Sequence, residues 1–327
     1  MAGTLLLTRR DVTALLSQED CIAAVERAFR LRGEGRTSPP GVLGIHVEGG
    51  GFHVKAATLH AGRTYFAAKL NANFPGNRRF DLPTIQGVVA LCDAKTGVLL
   101  ALLDSIEITV LRTAAATAIA TSHLALPHAA VLTICGCGNQ GQASARAIAR
   151  VRRLRTVFLW DLDPARAAVA AQQLQGLDVR VQVVDAWQDA AARSDLLVTC
   201  TPSTRPFVGE EHVRPGTFVA AVGADSAGKN EIDAALMAAA VVITDITAQC
   251  AEIGDLHHAI VEGRMSVDDV RAELGSVVAG RVAGRRDATE IVVFDSTGSA
   301  LQDVAAAAVV YERAVANGRG IQVDLGR

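Results

Sequence analysis

At 327 residues the chain is too long for one ordinary core and suits two domains. Half of it is hydrophobic and a fifth charged, with net charge −2, a globular composition without the basic field that nucleic acid or an anionic membrane would require. The first ten residues hold only a short apolar stretch before charges, and the six cysteines (Cys21, Cys92, Cys135, Cys137, Cys200, Cys250) lack zinc-type spacing, so the expectation is a cytosolic protein with reduced core thiols, no membrane span and no metal. Along the chain, residues 17–31 are amphipathic with helical spacing, capped by Ser17 or Asp20, and Pro39-Pro40 ends that unit. Strand-like segments follow at 42–47, 52–59, 64–71, 84–92 and 98–104, parted by Gly49-Gly50-Gly51, His60-Ala61-Gly62-Arg63 and Lys95-Thr96-Gly97. That succession suggests an antiparallel sheet. Residues 106–124 form an alanine-rich helix that bridges domains. After Pro127 strands recur at 130–135, 156–161, 195–201, 217–222, 241–244 and 291–294 with helical stretches between most of them, the rhythm of a doubly wound parallel sheet. A last alanine-rich helix, 300–316, is placed to return to the first domain and make it discontinuous.

Gly136-Cys137-Gly138-Asn139-Gln140-Gly141 follows an apolar strand and opens a helix over 142–150, while Asp161 ends the next strand twenty positions past Gly141. In that setting the first two glycines allow a tight turn and close approach to a pyrophosphate seated on the helix N-terminus. Asp161 would accept hydrogen bonds from the adenosine ribose and repel a 2′-phosphate, and Leu162 offers no cation, so NAD(H) is favoured over NADP(H). The plainer readings are a tight loop for the glycines and a turn role for Asp161 before the helix cap Asp163-Pro164. The basic run Arg150, Arg152, Arg153, Arg155 lies at the opposite sheet edge and reads as a solvated helix end.

Asp225 closes the apolar run that begins at Phe218, at the carboxyl edge where an open parallel sheet binds ligands, and is the candidate for proton handling. Three cations in the first domain suit an anionic substrate. Arg112 sits among Ala and Thr, where an unpaired charge is expensive and a carboxylate is a suitable fork partner. Lys69 shares a strand face with Tyr65, Ala67 and Asn71. Lys55 shares one with His53, opposite Phe52, Val54 and Ala56. A three-residue turn over 61–63 would set Lys55 opposite Lys69, whereas a two-residue turn would set it opposite Ala68 and send the lysines to different faces. The sequence leaves that choice open. A solvated position is the plainer reading of either lysine, and a structural role that of His53.

Taken together these residues resemble the ornithine cyclodeaminase/mu-crystallin family from Pro39 to Ala307. The specific pieces are Thr109-x-x-Arg112-Thr113-Ala114-Ala115, the glycine loop, Val222-Gly223-Ala224-Asp225-x-x-Gly228-Lys229-x-Glu231, and Phe294-Asp295-Ser296-Thr297-Gly298. The resemblance implies a Rossmann domain (116–302) with a discontinuous α+β substrate-binding and dimerisation domain (1–115 with 303–327), and a homodimer. It implies that Lys69 and Arg112 bind the substrate carboxylate, with Asp225 and Lys69 catalytic and Asp225 the acid/base. Ser296, Thr297 and Gly298 are then further substrate contacts near the nicotinamide, while Lys55 and His53 are candidate substrate contacts from their strand phase alone, Lys55 to supply a further cation or bind a second acidic group. Gly136, Gly138, Asn139, Gln140, Gly141, Asp161, Thr113, Thr201 and Val222 are the expected cofactor contacts. Two positions depart from the family pattern: Gly41 stands where many members carry an arginine, and Lys55-Ala56 where many carry Met-Pro. The expected chemistry is hydride transfer between NAD(H) and the α-carbon of an α-imino or α-amino acid, with pyrroline-2-carboxylate or, if Lys55 faces the pocket, iminosuccinate as substrate. The alternatives are an ornithine or lysine cyclodeaminase using tightly held NAD, and a non-catalytic crystallin-like binder.

Overall fold

In the computed structural model, which describes residues 3–325, two alternating patterns of burial build two compact units, Met1–Arg112 with Ser299–Arg327 and Thr113–Gly298. The ends assigned above to the first domain, residues 1–2 and 326–327, lie outside the described residues. The first unit holds strands β1 (Thr4–Leu7), β2 (Gly41–Val47), β3 (Gly50–Ala61), β4 (Arg63–Asn73), β5 (Ile85–Asp93) and β6 (Leu99–Asp104). With the C-terminal strand Ile321–Val323 they form one sheet in the order Ile321–Val323, β1, β6, β5, β4, β3, β2. The meander from β2 to β6 is antiparallel, but β1 pairs parallel with β6, so the sheet is mixed rather than antiparallel throughout. Strand β1 is only four residues long and carries no turn signal, so no sequence pattern marks it. Period-two side chains (Lys55, Ala57 and Leu59; Tyr65, Ala67 and Lys69; Val89 and Leu91; Ala101 and Leu103) line the buried face. The helix Ala300–Ala316 packs across β3 to β6, its small alanines admitting close approach, and the helix Gln18–Gly33 packs on it. Of the two possible caps, Ser17 is the one that accepts from the Asp20 backbone N–H.

The β3–β4 ladder settles the hairpin register. It runs without a slip from Gly51 opposite Asn73 to Ala61 opposite Arg63, turning on Gly62 at φ +90°. A residue with a Cβ is strained at that angle. The three-residue turn therefore holds, and Lys55 lies directly opposite Lys69 on the buried face.

The second unit holds β7 (Val131–Cys135), β8 (Thr156–Trp160), β9 (Arg180–Val183), β10 (Leu196–Thr199), β11 (Thr204–Val208), β12 (Phe218–Ala221), β13 (Asn230–Ile232), β14 (Val241–Thr244), β15 (Ala272–Glu273) and β16 (Val292–Asp295). Eight form a sheet in the order β15, β14, β16, β12, β10, β7, β8, β9, every pair parallel, while β11 and β13 pair separately. The central strands are buried on both faces, as their unbroken apolar runs require. Strand order reverses between β7 and β10, the place where such sheets open a ligand crevice at their carboxyl ends. The helix after β7 begins at Asn139 and ends at Val151, a turn earlier than the expected 142–150. The bridging helix spans Ser105–Leu124, supplying Arg112 to one unit and Thr113 to the other.

Candidate active site

The cations of the first unit converge on an anion that the sequence reading missed. Lys69 Nζ lies 2.9 Å from Oδ1 and 2.8 Å from Oδ2 of Asp303, and Arg112 Nε donates to the same Oδ1 at 3.1 Å. Lys55, Lys69 and Arg112 are only 8 %, 3 % and 5 % exposed, and Asp303 is buried as well. Arg112 Nη1 also donates to Gln302 Oε1 at 2.9 Å, and Lys69 Nζ reaches Thr109 Oγ1 at 3.5 Å. Burial drives the Lys69 ammonium down to about 7; Asp303 opposes the shift, while Arg112 and Lys55 reinforce it. Burial pushes Asp303 up, but Lys69 and Arg112 outweigh it and hold the carboxyl below its ordinary range. An ion pair this deep is costly to assemble and more costly to break on one side. Such a preassembled pair of donors is suited to a ligand carboxylate. The signal for Asp303 was present: Gln302-Asp303 is a polar step in the otherwise apolar stretch 300–310 of its helix, the same anomaly that singled out Arg112. His53 shares the Lys55 face, opposite Asn71, with its ring edge-on to His46.

In the second unit Gly136 adopts φ +101°, and a Cβ there would meet the Cys200 carbonyl oxygen at 2.8 Å. A Cβ on Gly141 would lie 2.0 Å from the Gly136 carbonyl oxygen, so the turn closes only with glycine at both. Gly138 caps the Asn139–Val151 helix without a side-chain hydrogen bond, and a Cβ on it would meet nothing within 4 Å. Open space over uncapped helical amides fits a pyrophosphate. Gly138 and Asn139 are exposed and Gln140 half-buried. Asp161 both ties the loop and turns the chain: Oδ2 accepts from Cys137 N at 2.8 Å and Oδ1 from Asp163 N at 3.0 Å. Each oxygen retains a second acceptor position for a ribose hydroxyl. The residues present thus fit a dinucleotide. The neighbouring basic run is less solvated than expected, since Arg152 donates to the carbonyls of Thr121 and Ser122 at 3.0 and 2.8 Å.

Asp225 lies on the loop after β12, four residues beyond the strand end where the sequence reading put it. Within its unit the side chain is 52 % exposed and pairs with Lys229 Nζ at 2.6 Å. The loop is anchored at its base. Buried Glu231 accepts from Gly223 N at 2.8 Å, and on the loop after β10 from Thr201 N and Oγ1, both at 2.6 Å, and from Thr199 Oγ1 at 2.7 Å. Beneath it Asp255 Oδ1 accepts from Glu231 N and Ile232 N. Burial, reinforced by Asp255, raises Glu231 to about 7, and burial raises Asp255 to about 6. The loop's other end is held where His258 Nε2 donates to the Lys229 carbonyl at 2.8 Å. Of the remaining candidates, Ser296 Oγ, Thr297 Oγ1 and Gly298 N all donate to buried Asp245, at 3.3, 3.2 and 2.6 Å. Val222 N donates to Thr199 O and Thr113 is buried. Among the described residues no cluster of ligating side chains suits a metal ion.

Comparison with known proteins identifies relatives over almost the whole chain. A model of the ornithine cyclodeaminase/mu-crystallin family matches residues 3–318. The structure of an archaeal alanine dehydrogenase dimer with bound NAD superposes with a TM-score of 0.95 at 35 % identity, covering 99 % of this chain and 100 % of that one. The Δ1-pyrroline-2-carboxylate reductase of Thermococcus litoralis, in complex with NADH and L-proline, gives 0.91 at 29 % identity over 98 % and 100 %. The iminosuccinate reductase of Paracoccus denitrificans, in complex with NAD+, gives 0.90 at 33 % identity over 99 % and 100 %.

Proposed function

Because the chain belongs to the ornithine cyclodeaminase/mu-crystallin family, we propose that it is an NAD(H)-dependent reductase of α-imino acids, able to run in reverse as an amino acid dehydrogenase. The observation that carries this reading is the buried assembly of Lys69 and Arg112 around Asp303, a carboxylate-binding centre already built. Bound at the glycine loop, NAD(H) would supply or accept the hydride at the α-carbon. Lys69 and Arg112 hold the α-carboxylate and so orient the C=N bond, and positioning of this kind removes several kcal/mol from a barrier. Asp225, paired with Lys229, moves the proton on the substrate nitrogen. Thr201 and Val222, on loops tied together through Glu231 and Thr199, serve the cofactor with Gly136, Gly138 and Asp161. NAD(H) is preferred over NADP(H) because Asp161 repels a 2′-phosphate and exposed Leu162 offers it no cation.

Lys55, opposite Lys69, favours a substrate with a second acidic group, such as iminosuccinate, beside cyclic imines such as pyrroline-2-carboxylate. A distal ammonium, as on ornithine or lysine, would be repelled by up to about 4 kcal/mol at roughly 4 Å with an effective dielectric near 20. The assembly we propose is a cytoplasmic homodimer. Its support is the archaeal dimer and an apolar row, Leu43, Val54, Leu70 and Val88, that crosses four strands on the outer face of the first sheet. Among the described residues no helix is long and apolar enough to cross a membrane.

The test is a substrate panel. NADH oxidation is followed with pyrroline-2-carboxylate, with iminosuccinate formed from oxaloacetate and ammonia, and with the imine of pyruvate, while ammonia release from ornithine and lysine is followed with catalytic NAD+. Turnover confined to the second assay would replace the reductase with a cyclodeaminase, and silence in both would favour a binding protein. Asp225→Asn is expected to lower kcat by about 10²- to 10⁴-fold, with NADH affinity within twofold. Full activity in that variant removes Asp225 from the mechanism.

A further inference from the structure

Gln302 is buried beside the clamp, and its two amide atoms meet different fates. Its Oε1 accepts from Arg112 Nη1 at 2.9 Å, while its Nε2, shielded from solvent, has no hydrogen-bond partner among the described residues. The orientation of the amide is chemically determined. A guanidinium only donates, so the atom facing Arg112 must be the carbonyl oxygen, and the NH2 group is thereby directed away from it. A buried donor without an acceptor is rare in a folded protein and calls for a physical reason. Here it stands one residue from Asp303 and one hydrogen bond from Arg112, at the centre assigned to the substrate carboxylate.

We propose that Gln302 is a substrate ligand: its Nε2 donates to the α-carboxylate that Lys69 and Arg112 hold. A carboxylate accepts about four hydrogen bonds, more than one lysine and one arginine already engaged with Asp303 supply. A neutral amide fills a vacant position without adding another buried cation to Lys55, Lys69 and Arg112. The same side chain fixes the guanidinium through Oε1, so one residue both steers a cation of the clamp and completes it. The inference rests on the reading of this centre as the carboxylate site of an imino acid reductase.

The substitution that separates the two roles is Gln302→Glu. Glutamate still accepts from Arg112, so a residue needed only to prop the guanidinium would be replaced without loss. It also places an anionic acceptor where Nε2 stood, against the incoming carboxylate. For both pyrroline-2-carboxylate and iminosuccinate, KM is expected to rise about 10- to 100-fold in Gln302→Glu, the range for losing a hydrogen bond to a charged group. In Gln302→Met, which adds no repulsion but loses both the donor and the acceptor that steers Arg112, the rise is expected to be smaller, about tenfold, the low end of that range. In both variants kcat should change less than threefold and NADH affinity, read by fluorescence, less than twofold. A Gln302→Glu enzyme with wild-type KM, or one that binds substrate better than Gln302→Met, overturns the proposal. A wild-type enzyme inactive on the whole panel is a different failure, that of the reductase reading, and is seen before any variant is compared. A crystal structure of the wild-type protein with NAD+ and pyrrole-2-carboxylate, an inert planar carboxylate, decides the matter without a variant. Nε2 within about 3.2 Å of a carboxylate oxygen supports the assignment, and a ligand carboxylate bound elsewhere or out of reach of Nε2 refutes it.

Discussion

Lys69 carries its charge conditionally. In the free protein its pKa is about 7, far below the 10.5 of a solvated lysine, because burial penalises the ammonium more than Asp303 rewards it. The clamp needs the protonated form, which is present below that value and lost as pH rises through it. The kcat/KM for an α-imino acid is therefore expected to fall above about pH 7. Asp303→Asn removes the partner that raises Lys69, so the descending limb should move to lower pH and KM should rise at pH 7. An unmoved profile would show that Asp303 does not govern the charge of Lys69. At Gly136 the constraint is steric. Alanine there would need φ +101° and would press on the Cys200 carbonyl, so Gly136→Ala is expected to weaken NADH binding at least about tenfold, as read by fluorescence titration. Retained affinity would mean that the loop shifts without cost. Both residues show how far single positions were legible. Gly136 announced itself by its motif, and Lys69 by its strand phase. The polar step at Asp303 was visible too, but not its pairing, because a carboxylate 234 positions away becomes the partner of Lys69 only when the last helix packs on the sheet.

Elements impose their own chemistry. Strand β13 carries Glu231 into the interior, where it staples the loops following β10 and β12 and so fixes the base of the Asp225 loop. With Asp255 directly below, this pair titrates abnormally. Glu231 rises from 4.5 to about 7 and Asp255 from 3.8 to about 6. Groups whose folded pKa lies above the unfolded value contribute stability that is complete below about pH 4 and is lost as pH rises through 6 to 7. The melting temperature should accordingly fall between pH 5 and pH 8, and Glu231→Gln should flatten that slope in calorimetry, at the expense of kcat. A slope unchanged by the substitution would place the titration elsewhere. The β3–β4 hairpin shows the opposite kind of control, in which a single glycine at the turn decides register for eleven residue pairs. Helix boundaries moved by a turn at most where capping residues were plain, whereas β1, β9, β11, β13, β15 and the strand Ile321–Val323, two to five residues each, were not read from the sequence.

At the scale of the molecule the proposed roles fall in different units, the carboxylate-binding residues Lys69 and Arg112 in one and the dinucleotide loop with Asp225 in the other. The outer face of the first sheet leaves Leu43, Ile45, Leu70 and Val88 exposed, and β2 is an edge strand exposed along its whole length. Apolar faces and edges of this kind are aggregation hazards in a monomer and interfaces in an oligomer. Leu43→Lys with Leu70→Lys is expected to convert a dimer to monomers in light scattering without disturbing the buried clamp. A wild-type monomer would refute the proposed dimer, and a variant that remains dimeric would place its interface elsewhere.

By itself the sequence determined the parts whose chemistry is local. These are the alternation of strands and helices, the glycine loop with its downstream Asp161, the anomalous cations Arg112 and Lys69, and the carboxylate Asp225 beyond an apolar strand. Periodicity, turn chemistry and the cost of burying charge all act over a few residues and can be read in order. Only the tertiary structure decided who meets whom. Lys55 stands opposite Lys69 because Gly62 turns the hairpin in one register, Asp303 and Gln302 reach Arg112 because the last helix returns to the first sheet, and Glu231 ties two loops because parallel strands bring their ends together. Such pairings follow from packing over long chain separations, which no local pattern records.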